Sequence, residues 1–138
     1  MKKQLLLATT SVAVLAYGVP ALADCLPNAG GTIITCTTAD PDGWPGSATN
    51  NLTIQVENGA TVSGTLATGQ TSVVNNEGSV SVVGTAISVG GGSTVTNAST
   101  ATGNISGNIV FGAAGTGQTN TLNNNGPAAT NAIIGDTS

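Results

Sequence analysis

The sequence predicts an all-β protein, a parallel β-helix built as a solenoid of about five short coils, and three observations predict it. The first is a recurring motif of an apolar residue, one further residue and Asn. It stands at Val56-Glu57-Asn58, Val74-Asn75-Asn76, Val95-Thr96-Asn97 and Leu122-Asn123-Asn124, with steps of 18, 21 and 27 residues between the Asn positions. The second is strict alternation of apolar and polar residues in very short runs bounded by Gly and Asn, which is the period of a strand. The third is composition. Charged residues make up 6% and aromatics 2% of the chain, with 20 Gly among 138 residues. Such a chain cannot fill a thick core, but its Val, Ile, Leu and Ala suit a narrow interior shared from coil to coil.

Residues 1–23 form the first element. Lys2 and Lys3 precede an apolar run from Leu5 to Val19, Pro20 breaks the helix, and Ala21-Leu22-Ala23 offers small residues to a signal peptidase. This reads as a secretory signal-peptide helix with cleavage between Ala23 and Asp24. The apolar run is short of the roughly 20 residues that a membrane span requires. Asp24 stands where a lipobox would need a small residue before Cys25.

Charge is distributed unevenly along the chain. Both basic residues lie in that segment, and the acids Asp24, Asp40, Asp42, Glu57, Glu77 and Asp136 all follow it. Neutralising phosphates requires Lys or Arg, so a nucleic-acid partner is excluded. A one-signed product favours solubility over adhesion to anionic surfaces.

Cys25 and Cys36 are the only cysteines. After an export signal they are expected to pair, stapling residues 24–48 into an N-terminal cap and loop. The spacing is not Cys-x-x-Cys and the chain has no His, so neither a redox pair nor a metal site is expected. Asp40 to Gly46 is turn chemistry, with Pro41-Asp42-Gly43 at its centre. Asp40 and Asp42 lack the further acidic ligands of a calcium loop. Trp44 is expected to cover the end of the core or a lateral face.

The repeat coils are expected over 49–138. Leu52–Val56 alternates, Asn58-Gly59 is a turn, and Thr61–Ser63 is a short strand. Ser79–Val82, Ala86–Val89 and Asn108–Phe111 are further strands, and Ala132–Ile134 is the last. Gly90-Gly91-Gly92 is a corner. Asn58, Asn76, Asn97 and Asn124 either stack as an amide ladder or serve simply as turn formers, and both readings put them at a corner.

The repeats VENGATVSG, VNNEGSVSVVGTAISVGGGSTVTN and FGAAGTGQTNTLNNNG, with the early pair Cys25 and Cys36, resemble the passenger region of proteobacterial autotransporters. That resemblance implies a right-handed parallel β-helix, exported through the inner membrane and displayed at the cell surface or released. It would be periplasmic without a transporter. Members usually continue into a C-terminal outer-membrane β-barrel, so the resemblance implies either a passenger fragment or, if the chain is not a fragment, a passenger served by a separate outer-membrane β-barrel. The function expected is that of a non-catalytic adhesin-like or structural module, with surface glycans or further copies of itself as partners. No catalytic residue, metal or cofactor is expected.

Two alternatives belong to other classes. A polysaccharide-acting β-helix enzyme needs clustered carboxylates, and Glu57 and Glu77 could share one corner. An ice-binding solenoid is suggested by Thr35-x-Thr37, Thr94-x-Thr96 and Thr119-x-Thr121, although these pairs do not recur at every coil.

Overall fold

The computed structural model describes residues 25–46, 48–98, 103–126 and 128–130. The signal segment, the Ala23–Asp24 cleavage site and the strand expected at Ala132–Ile134 lie outside these residues. Among the described residues there is no helix. The chain forms β1 (Leu26–Pro27), β2 (Ile33–Cys36), β3 (Ala39–Asp40), β4 (Trp44–Gly46), β5 (Thr53–Val56), β6 (Thr61–Val62) and β7 (Leu66–Thr68). It continues through β8 (Val73–Asn76), β9 (Ser79–Val89), β10 (Thr94–Asn97), β11 (Asn104–Phe111), β12 (Thr121–Asn124) and β13 (Ala128–Thr130).

These strands wind into a parallel β-solenoid with three faces. The first face stacks β2, β5, β8, β10 and β12, each pairing in parallel with the next. The second stacks β3, β6 and the leading parts of β9 and β11, ending on β13. The third stacks β4, β7 and the trailing parts of β9 and β11. The solenoid has about three turns, fewer than the five or so coils expected from the Asn spacing. Because β2 already pairs in register with β5, the repeat starts at Ile33. The stretch 40–46 is therefore not only a loop: strands β3 and β4 flank its turn.

Inward side chains form single-file columns, as the period-two alternation requires. The first face contributes Ile34, Ile54, Val74, Val95 and Leu122 in register. The second contributes Asp40, Val62, Val80 and Ile105. The third contributes Trp44, Leu66, Ile87 and Ile109, beside a column that ends on Val89 and Phe111. Apart from the terminal Leu122 and Trp44, which pack against the core only partly buried, these side chains are buried. No rung can bury its own inward side chains; the rungs above and below cover them, which is why the solenoid forms as a stack.

A second column explains how each rung turns into the first face. Gly31, Asn51, Thr71 and Gly92 all have positive φ, at 66°, 58°, 53° and 73°. Each lies two residues before its strand. Glycine adopts this conformation without steric cost and Asn tolerates it, whereas β-branched Thr71 is strained there. Thr71 Oγ1 donates to Asn51 Oδ1 at 2.6 Å, tying adjacent corners together. In the next column, Ser93 Oγ accepts from Ser72 N at 3.0 Å and Ser72 Oγ accepts from Leu52 N at 3.2 Å. Both serines are buried.

The first rung is closed by three devices. Cys25 and Cys36 form a disulfide with a Cα–Cα distance of 4.1 Å, and both are buried in the core. Closing a loop of this size stabilises the fold by on the order of 3 kcal/mol in the chain-entropy account. Strand β1 lies antiparallel on β2, Leu26 opposite Thr35 and Pro27 opposite Ile34. Proline has no N–H to offer, so its presence blunts the outer edge. The third device is Asp40, a buried carboxylate. Its Oδ2 accepts from Cys25 N at 2.5 Å, and its Oδ1 accepts from Asp42 N at 2.8 Å and Gly43 N at 2.7 Å.

Candidate functional site

The Asn positions divide when register is read directly. Asn76, Asn97 and Asn124 occupy one column on β8, β10 and β12. Asn76 Nδ2 donates to Asn97 Oδ1 at 2.8 Å, and Asn97 Nδ2 donates to Asn124 Oδ1 at 3.1 Å. The same amides reach backbone carbonyls at the following corner, Asn76 to Asn104 O at 3.1 Å and Asn97 to Gly103 O at 3.3 Å. Asn58 is not part of this ladder. The residue in register with Asn76 is Val56, and the one below that is Cys36. The first step of the repeat is therefore longer than the Asn spacing indicates, because Asn58 belongs to the turn two residues beyond the column.

The ladder has a polarity. Each Nδ2 points up the stack, so each Oδ1 points down. Beneath Asn76 stands apolar Val56, which has no donor, and Asn76 Oδ1 is buried without a hydrogen-bond partner. This ladder is internal and structural. It holds the first face to the second and offers nothing to solvent except at its Asn124 end, which is exposed.

Outside the ladder, the corner after the first face carries the described acids other than Asp40 and Asp42. Glu57 N donates to Cys36 O at 3.0 Å and Glu77 N donates to Val56 O at 2.8 Å, so the two glutamates occupy equivalent places on adjacent rungs. Their backbones are one strand spacing apart, about 4.8 Å. The next places are held by Ala98 and Asn125. Gln55, Val56, Glu57, Asn58, Asn75 and Glu77 line a groove of about 380 Å³ on this corner. Its chemistry is carboxylate and carboxamide oxygen. Lys and Arg are absent from the described residues, and no group of three or more His, Cys, Asp or Glu among them is placed to hold a metal ion.

The outward side of the first face is uncharged. One row reads Ile33, Thr53, Val73, Thr94, Thr121 and the other Thr35, Gln55, Asn75, Thr96, Asn123, all in register. Of the Thr-x-Thr pairs, only Thr94 and Thr96 lie side by side on this face. Thr37 and Thr119 lie beyond the strands of the face.

Asp40 and Asp42 do not form a ligand pair, because both oxygens of Asp40 are engaged with backbone N–H groups. Sequence reasoning places them in a turn but misses the bond to Cys25. Asp40 carries the alternation one rung below Val62, and only the three-dimensional register reveals that.

No protein-family profile, curated protein or solved structure matches this chain. The β-solenoid is established by its own strand register.

Proposed function

We propose that this chain is a non-catalytic, exported β-solenoid of the autotransporter-passenger kind, acting as an adhesion or structural module at the cell surface or beyond it. The observation that carries the reading is the outward side of the first face. Five stacked strands present hydroxyl and carboxamide groups at strand spacing, with no charge in either row. Such a surface suits neutral, hydrogen-bonding partners, namely glycans or another copy of the chain. The buried disulfide fits a non-reducing compartment, in keeping with export.

Display of the chain on bacterial cells tests this reading. Clumping or attachment to glycan-coated surfaces is expected to rise, and to fall when Thr53, Thr94 and Thr96 are replaced by Lys. Display that alters neither property removes the adhesion reading. One observation favours an alternative, polysaccharide cleavage, since Glu57 and Glu77 share a groove. Incubation with pectin and related glycans, with and without calcium, decides between them. Release of new reducing ends, abolished by Glu57→Gln, would replace adhesion with catalysis.

A further inference from the structure

We propose that the Asn58–Gly59 turn is a site of spontaneous deamidation, through which the groove on the acidic corner passes from two carboxylates to three. The inference is independent of the adhesion reading. Asn58 lines the same groove as Glu57 and Glu77, so a charge gained there falls directly beside theirs.

The reaction needs only water. The Gly59 amide nitrogen gives up its proton and attacks Cγ of Asn58, forming a C–N bond. The Cγ–Nδ2 bond breaks and ammonia leaves, producing a five-membered succinimide. Water then adds to one of the two ring carbonyls and that C–N bond breaks. Opening on one side leaves an ordinary aspartate at position 58; opening on the other leaves isoaspartate. Either product carries a carboxylate where the carboxamide stood.

The geometry distinguishes this turn from the other Asn-Gly pair, Asn125–Gly126. At Gly59, φ is 87° and nothing lies within 4 Å of the place a Cβ would take. Asn58 and Gly59 are both exposed, so water reaches the ring that would form, and Gly59 carries no Cβ to hinder its closure. The hydrogen bond that closes the turn runs from Ala60 N to Glu57 O at 2.9 Å. Gly59 N is not its donor, so the attacking nitrogen is not the atom that closes the turn. Gly126 is packed. A Cβ there would meet the Asn97 Nδ2, and would stand 2.6 Å from Gly103 O and 3.1 Å from Ala98 O. Asn125 is further held by its N–H to Asn97 O at 2.9 Å. Packing against the ladder thus restrains Gly126, while Gly59 is exposed.

The consequence is a one-way change of surface charge. Three carboxylates within one groove, with no Lys or Arg among the described residues, repel one another and any anionic surface. The corner becomes more acidic as the protein ages.

The test uses the full chain, incubated in mildly alkaline buffer and sampled over time by peptide mass mapping, with enzymatic methyl labelling to count isoaspartate. In the native protein Asn58 is expected to convert severalfold faster than Asn125, at a rate that rises with hydroxide. In concentrated urea the two should convert at similar rates, because the packing that separates them is gone. A native ratio at or below one overturns the proposal. So does a native ratio unchanged by urea, since the preference would then come from local sequence and not from the folded turn. The variant Asn58→Gln, which keeps a carboxamide, should abolish the isoaspartate signal at this position while Asn125 continues to convert; persistence of the signal there also overturns it.

Discussion

Replacing Asn97 with aspartate tests the amide ladder at its centre without changing side-chain volume. Asn97 is 1% exposed. Its Oδ1 accepts from Asn76 Nδ2, and its Nδ2 donates to Asn124 Oδ1 and Gly103 O. In Asn97→Asp, an ionised carboxylate keeps the first bond but turns a second oxygen toward two carbonyl oxygens. The protonated acid can still donate to one of them. Burial and the facing carbonyls both favour the neutral acid, and fully buried carboxyls rise by up to about 3–5 units. The bond from Asn76 offsets part of this, so a rise of about 3 units from the ordinary value near 3.9 is expected.

The sign follows from proton linkage. With the folded-state value raised, the folded variant binds more protons than the unfolded one between the two values. Stability relative to the wild type therefore falls as pH rises, by about 1.4 kcal/mol per pH unit. The gap should be about 1 kcal/mol near pH 4, where one hydrogen bond is lost. It should approach about 5 kcal/mol near pH 7, a large part of the roughly 5–15 kcal/mol that domains possess. Urea unfolding followed by circular dichroism and Trp44 fluorescence, for both proteins across this range, measures it. Asn124→Asp, at the exposed end, is the control and should show a much smaller slope. A gap for Asn97→Asp that does not change with pH would refute the buried ladder.

Three further predictions probe the first rung, the positive-φ corner and the foot of the ladder. Asp40→Asn replaces an oxygen facing backbone N–H groups with an amide donor, and should lower stability by about 2–3 kcal/mol in urea melts; an unchanged midpoint would mean the first rung is not held by this carboxylate. Thr71→Asn relieves a β-branched residue at positive φ while keeping a donor for Asn51, and should raise stability by about 0.5–1 kcal/mol in the same melts; a loss would show that Thr71 is not strained. Val56→Thr places a hydroxyl beneath the unpartnered Asn76 Oδ1, so it should cost less than Val80→Thr, whose hydroxyl has no such acceptor and should cost about 1–3 kcal/mol. Equal losses for the two threonine variants would show that the acceptor does not point down the stack.

The period of the fold is legible because the first face repeats its pattern. Thr53–Val56, Val73–Asn76 and Thr94–Asn97 share inward positions, and the last two show them as apolar-x-Asn. The first interval misleads for a physical reason. The ladder position is filled by Cys36 and Val56 in the early rungs and by Asn only from Asn76 onward. Asn58, a turn residue, mimics the motif. Strands β3, β4 and β7 escape sequence reading because they hold only two or three residues each and, unlike Thr61–Val62, do not follow an Asn-Gly turn. Alternation cannot be seen in so short a run, and a Trp-Pro-Gly strand looks like a turn until its partner Leu66–Thr68 is known. At the candidate site, the spacing of Glu57 and Glu77 is enough to suggest that they stack. The groove around them is not readable in that way, since Gln55 and Asn75 come from the neighbouring outward row.

The corners show where such a chain is free to vary. Between the second and third faces, one rung uses residues 63–65 and another uses 106–108, while the rung between them spends 81–86 on the same corner. The excess is pushed outward, and Val83 at its tip is fully exposed. The columns on either side stay in register, Val62 with Val80 and Leu66 with Ile87. The lengthened top rung takes up extra residues beyond Phe111, while Asn97 and Asn124 remain paired. A solenoid of this kind thus separates two demands on one sequence. Interior columns tolerate only what stacks, so they record the fold, whereas corners accept any length that returns the chain to register. The acidic groove, the Asn58–Gly59 turn and the Val83 tip all stand at corners, and this is where chemistry can change without disturbing the stack.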